Sequence, residues 1–457
     1  MTVSEQQRYL LVKAPKAILS SQHSQAPAEV LINQTTGKIV EIALDGKKCA
    51  TAVNEDQLEV IQLDDDQLLM PGLVDAHVHL NEPGRTEWEG FETGTKAAAA
   101  GGISTTKLNA AQNQCHVDVG FWGGVVPDNA KDLPALIEKG VRGFKCFLIE
   151  SGVDEFPCVN EAEVRAAMDQ MVNSDRVLLF HAEMEGCGKV ETKHEEHEEL
   201  DSRTYASFLN SRPQSLETNA IDMIIRLTQE YHEQGKSVNT HIVHLSAASA
   251  VPAIKAAKAA GAPLTVETCF HYLNFTSEAI EDGATHYKCC PPIREASNRE
   301  KLWEALLDGT IDYVVSDHSP CTAQLKKQDT GDFGQAWGGI ASVQFGLPVL
   351  WSEGRKRGVT LQQIAHWLSY APAKRTNLNH KKGEIRVGHD GDLVIWRPES
   401  TFEVNVNDVH FKNKLSPYIG ETFYGAVDRT IVRGSTVYSR KAPGLFAEVP
   451  FGRALLE

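Results

Sequence analysis

The stretch 71-PGLVDAHVHLNEPG-84 sets two histidines, His77 and His79, one residue apart at the end of an apolar run. On a strand, residues i and i+2 point to one face, so both imidazoles are expected to project together. Imidazole is a metal ligand and a proton carrier, and a pair on one face suits a shared target. Further along stand Lys145 in GFKCF, His181 in LLFHAE, His244 in HIVHLS and Asp317 in VVSDHSP. Each lies near the end of an apolar run. Any one alone has an ordinary reading: a core histidine, a lysine reaching solvent, an aspartate capping the next helix. Six together, at the same end of successive runs, point to a metal centre.

Positioning such a set takes a particular architecture. The runs GLVDAHVHL, GISTT, HVDVGFWGG, GFKCFLIES, VLLFHAE, VNTHIVHLS, LTVETCFHYL and DYVVSDHSP read as eight strands. Helical stretches such as EAEVRAAMDQMV and ASAVPAIKAAKAAG alternate with them. This α/β alternation predicts a (β/α)8 TIM barrel, whose strand ends converge on the face that carries the active site in that fold. Residues 1–70 and 388–457 are rich in short β runs and are expected to form a small flanking β-sandwich domain. Residues 71–387 then form the barrel.

Composition narrows the function classes. The chain has 457 residues, 42% apolar and 23% charged, with 61 acidic against 45 basic side chains and a net charge of −16. That balance argues against nucleic-acid or acidic-membrane partners. No apolar run approaches the roughly 20 residues of a membrane helix, and no signal peptide or peroxisomal tail is evident. The nine scattered cysteines read as reduced thiols, so a cytoplasmic location is expected. The run KHEEHEE (193–199) has metal-type residues without metal-type spacing and reads as a solvated face.

Longer motifs carry a resemblance. HVHLNEPGRTEWEGFETGT, GVRGFKCFLIESGVDEFP, ETCFHYL, KCCPPIR, VVSDHSPC and WGGIASVQ are similar to the metal-dependent amidohydrolase superfamily, and within it to the cyclic amidohydrolases of the eukaryotic allantoinase kind. The resemblance runs over nearly the whole chain. It implies two zinc ions, other divalent metals also being suitable. His77, His79 and Asp317 would hold one ion, and His181 and His244 the other. Lys145, carboxylated by carbon dioxide, would bridge them; an unmodified lysine is a cation near pKa ~10.4 and repels metals. The reaction implied is hydrolytic ring opening of a cyclic ureide by an activated water, with Asp317 moving the proton to the leaving nitrogen. Asn81 and the main chain of Cys290 are the candidate substrate contacts, and His318 a candidate orienting partner. A homotetramer is implied as well. The rivals are a dihydropyrimidinase or hydantoinase, a dihydroorotase, and a non-catalytic dihydropyrimidinase-like scaffold. Asn81 stands where a dihydroorotase-like site would place an arginine for an acidic substrate.

One segment departs from the pattern. GGISTT runs directly into KLNAAQNQC, where relatives of this kind complete a strand and add a loop and helix; roughly 20 residues are absent after Thr106, and a βα crossover needs at least ~10–12. A truncated second βα unit, lower stability and impaired turnover are the expectation.

Overall fold

The computed structural model describes residues 7–51, 53–107, 114–185 and 201–456. They fall into two compact units. One takes residues 1–119, 342–414 and 418–454, the other 120–341, 415–417 and 455–457.

The first unit is dominated by one eight-stranded sheet made from both ends of the chain. Its strands are β1 (Tyr9–Ala17), β2 (Ala26–Asn33), β3 (Lys38–Leu44), β4 (Leu58–Gln62), β5 (Leu68–Pro71), β15 (Leu393–Glu403), β16 (Thr422–Val432) and β17 (Ser435–Ser439). The order is β17-β16-β15-β5-β1-β2-β3, with β4 beside β1. The two chain ends meet where β5 pairs antiparallel with β15, Leu69 opposite Ile395. Leu10, Val12, Val30, Ile32, Leu69, Leu393 and Ile431 form the buried core on this sheet. Leu10 with Val12, and Val30 with Ile32, stand two apart and so share one face of the sheet; Leu11, Leu31, Met70 and Val394 at alternate positions are buried as well.

The same unit holds short barrel-type strands: β6 (Leu73–Val74), β7 (Ile103–Lys107) and β8 (Asp118–Gly120), in the order β6-β7-β8. The helix Phe91–Ala100 links the first two. Between β7 and β8 no helix occurs among the described residues. Residues 108–113, most of the KLNAAQNQC segment at the expected truncation, lie outside the described residues, as does the KHEEHEE run.

A buried ion cluster also belongs to this unit. Lys382 Nζ lies 2.6 Å from Asp118, 2.9 Å from Asp390 and 2.7 Å from Asp392. Three carboxylates in such a group are candidate metal ligands. Here the ammonium stands among them, and its charge answers theirs. Burial works against the Asp118 anion, but Lys382 and Arg433 outweigh it and hold its carboxyl below the usual range.

The second unit contains a six-stranded sheet: β9 (Gly123–Gly124), β10 (Gly143–Phe147), β11 (Val177–His181), β12 (Asn239–Ile242), β13 (Leu264–Cys269) and β14 (Tyr313–Val315). Its strand pairings among the described residues are all parallel. β10 and β11 are almost wholly buried, as strands covered on both faces must be. Helices lie between them in sequence. Glu161–Met171 follows β10 and begins with a capping box, Asn160 and Glu163 satisfying each other's main-chain N–H groups. Gln214–Glu233 follows β11 and buries Ala220, Ile221, Ile224, Leu227 and Tyr231, one face of a 3.6-residue period. Among the described residues no helix is long and apolar enough to cross a membrane.

Candidate active site

His77 and His79 lie beyond the end of β6 rather than within a strand, because regular pairing stops at Val74. Their rings remain neighbours, with centroids 5.3 Å apart. The His77 N–H donates to Asp75 Oδ1 at 3.1 Å, which fixes the backbone that presents the ring. Asn81, half-buried at φ +59°, donates through Nδ2 to the His79 carbonyl at 3.4 Å. That contact braces the turn after the pair.

The second unit gathers four of the expected residues at the carboxyl ends of its strands. Lys145 is the third residue of β10 and stands opposite Leu179. His181 ends β11 opposite Phe147. His244 and Asp317 follow β12 and β14 by two residues, both at φ +41°. A left-handed backbone is uncommon for non-glycine residues and concentrates at functional sites. Both are buried, as are Lys145 and His181.

The rings of His181 and His244 meet edge to face, with His181 Nδ1 at 2.9 Å from His244 Nε2. His181 Nε2 lies 2.8 Å from Glu183 Oε2. Burial disfavours the Glu183 anion, but the His181 hydrogen bond and the Arg212 charge outweigh it and keep the carboxyl below its ordinary range. An ionised carboxylate accepts only, so His181 Nε2 carries the proton and its Nδ1 lone pair faces His244. Burial holds both imidazoles toward the neutral form, His244 well below the ordinary value. His244 Nε2 therefore donates to that lone pair at 2.9 Å, and with its proton moved to Nδ1 the two nitrogens are close enough to serve one metal ion, His181 being oriented by a carboxylate.

Lys145 Nζ sits 5.1 Å from the Phe147 ring centroid, and Phe147 stacks on His181 at 4.7 Å. Burial pushes the Lys145 amine down, with Asp317 and Glu267 opposing. A neutral amine is the nucleophilic form of lysine. Asp317 Oδ1 accepts from Ser319 Oγ at 3.1 Å. His318 is buried, with its N–H on Ser316 Oγ and a bridge to Ile340, so its backbone is fixed beside Asp317.

A cleft of about 590 Å³ opens beside His181, bounded by Phe147, Arg212, Lys288, Cys290 and Trp337. That volume suits a small ligand. Cys290 is on its wall, and a Cβ at Gly338 would stand 2.8 Å from the Cys290 sulfur, so only glycine permits this approach. Lys326 stitches the wall from behind: its Nζ donates to the carbonyls of Lys288 and Trp337 at 3.0 and 2.9 Å, and also to that of Gly339.

Glu183, Arg212 and Lys326 were not read as site residues from the sequence. Glu183 had a signal, standing two residues after His181 as His79 does after His77. Arg212 and Lys326 had none, for their partners are distant in sequence or are main-chain carbonyls.

Residues 68–437 match the Amidohydrolase family. The chain is 43% identical to the allantoinase of Saccharomyces cerevisiae over 94% of this chain and 95% of that protein. It is 46% identical to the allantoinase of Arabidopsis thaliana, over 82% and 78%. A solved L-hydantoinase (dihydropyrimidinase) from Arthrobacter aurescens superimposes with a TM-score of 0.85 at 25% identity, covering 98% of this chain and 99% of the other. The fold is thus of the TIM-barrel type expected, joined to a sheet formed by the N- and C-terminal segments. The family is metal-dependent, and the residues gathered here suit it. The chain belongs to the amidohydrolase family, in its allantoinase branch, and is a hydrolase of cyclic amides.

Proposed function

We propose that this chain opens the hydantoin ring of allantoin to give allantoate, a step in purine (ureide) catabolism. Relatedness to allantoinases at 43–46% identity supports that ring. The observation that carries the chemistry is the pairing of His181 Nδ1 with His244 Nε2 at 2.9 Å beside a buried lysine.

In this reading two zinc ions bind per chain. His77, His79 and Asp317 would hold one, His181 and His244 the other, and Lys145, as a carbamate, would supply an anion to both. The depressed Lys145 amine favours that modification, because carbon dioxide reacts with a neutral amine. Bound metal ions supply Lewis acidity for the attacking water and the scissile carbonyl. Asp317 takes the proton of that water and delivers it to the departing ring nitrogen. Asn81 and the Cys290 main chain hold the neutral ureide by hydrogen bonds. Phe147 and Trp337 give the cleft apolar walls, which limit competing water. The barrel domain spans residues 71–387 and the β-domain 1–70 with 388–457. The working form is a cytoplasmic homotetramer.

The test is turnover of purified protein against allantoin, dihydrouracil and dihydroorotate, with and without added zinc. Zinc-dependent turnover of allantoin above the other two is expected. Preference for dihydrouracil transfers the chain to the hydantoinase reading that its structural neighbours represent. Absence of both turnover and bound metal supports the scaffold.

A further inference from the structure

Behind the paired imidazoles runs a closed circuit of polar contacts. His181 Nε2 meets Glu183 Oε2, and the same oxygen accepts from Arg212 Nη1 at 2.5 Å. The Arg212 carbonyl accepts from Arg294 Nη1 at 3.2 Å. Arg294 Nη2 donates to Glu217 Oε1 at 2.7 Å. Glu217 Oε2 accepts the main-chain N–H groups of Ser246 and Ala247, both at 2.9 Å. Those residues follow His244, whose ring returns to His181.

Glu183, Glu217 and Arg294 are buried. Buried charges are costly unless every one is paired, so a circuit of them has a defined geometry or none. The Glu217 end pins the turn that carries His244. The Glu183 end pins the ring of His181. Arg212 joins the two ends, side chain to one and main chain to the other. A guanidinium meets a carboxylate along fixed directions, which a flexible ammonium does not. With ring N–H and guanidinium both on Oε2, Glu183 has one position, and the His181 ring has one orientation. Arg212 also lines the cleft.

We propose that Arg212 is a positioning residue for the His181–His244 pair, holding Glu183 and through it the His181 ring so that both imidazoles face one metal ion. The inference rests on the metal reading given under Proposed function.

The test uses cobalt(II) as the probe, titrated into metal-free full-length chain and read by its visible absorption and by competition with a chelator. Wild type is expected to take about two ions per chain. Arg212→Met is expected to keep the far-ultraviolet circular dichroism of the metal-free chain, with a lowered unfolding midpoint because Glu183 loses its buried counter-charge. It should bind one of the two ions about 10–100-fold more weakly, with a shifted visible band. Arg212→Lys should recover part of that loss, since it restores a cation without the fork. Unchanged affinity and an unchanged band in Arg212→Met overturn the proposal. If that variant does not fold, Glu183→Gln takes its place, with weakened binding expected and unchanged binding overturning. A wild-type chain that binds no cobalt overturns the metal reading itself, and this inference with it.

Discussion

His271 shows what burial does to a single side chain. Its ring is fully enclosed, and neither nitrogen has a hydrogen-bond partner among the described residues. Burial pushes its pKa from 6.5 down to about 4, with Asp317 opposing. The unfolded chain therefore binds more protons than the folded one between those values. The stability from a neutral His271 is fully present above pH 6.5 and is lost as pH falls through about 4. Its size is on the order of 2–3 kcal/mol. Urea unfolding of the metal-free chain at pH 7 and pH 4.5 should show that loss, and His271→Leu should flatten the difference; equal slopes in both chains count against it. Lys145 makes a second residue-scale case. Lys145→Ala should lower kcat by about 10³-fold or more and reduce bound metal, because it removes the proposed bridging anion. Full metal content with wild-type kcat speaks against the bridge. Lys145, His181, His244 and Asp317 were legible in the sequence because such side chains are out of place at the ends of apolar runs. Arg212, Glu217 and Arg294 were not, because a charged residue on a helix or loop is unremarkable until its partner, up to 82 residues away, is seen beside it.

At the scale of elements, all eight strand candidates of the barrel have strands in the structure, since their apolar content and turn punctuation are local properties. Their lengths were less legible. HVDVGFWGG splits into β8 and β9, because the two pieces pair with different neighbours: β9 lies on β10, while β8 is in the sheet of β7. A Cβ on Gly123 would stand 2.5 Å from the Phe144 ring, so the β9–β10 approach requires glycine. The second βα unit tests the cost of lost length. β7 ends at Lys107 and β8 begins at Asp118, with no helix among the described residues between them. Inserting a strand completion and a crossover helix after Thr106 should raise both the unfolding midpoint and turnover, because it restores cover for apolar strand surface. Equal turnover by the two chains refutes this account.

At the scale of the whole chain, metal and fold are linked. Ions that bind the folded form and not the unfolded one raise the melting temperature by mass action. Chelation should therefore lower Tm, and zinc should restore it; a Tm indifferent to both argues against resident metal. The Lys382 cluster adds a constraint of order in time. Asp118 is enclosed early in the sequence, while its counter-charges Lys382 and Arg433 come more than 260 residues later. A chain emerging from the ribosome must keep that carboxylate hydrated until its partners are synthesised. The pocket around Asp118 can therefore close at low cost only after the segments carrying Lys382 and Arg433 have been made.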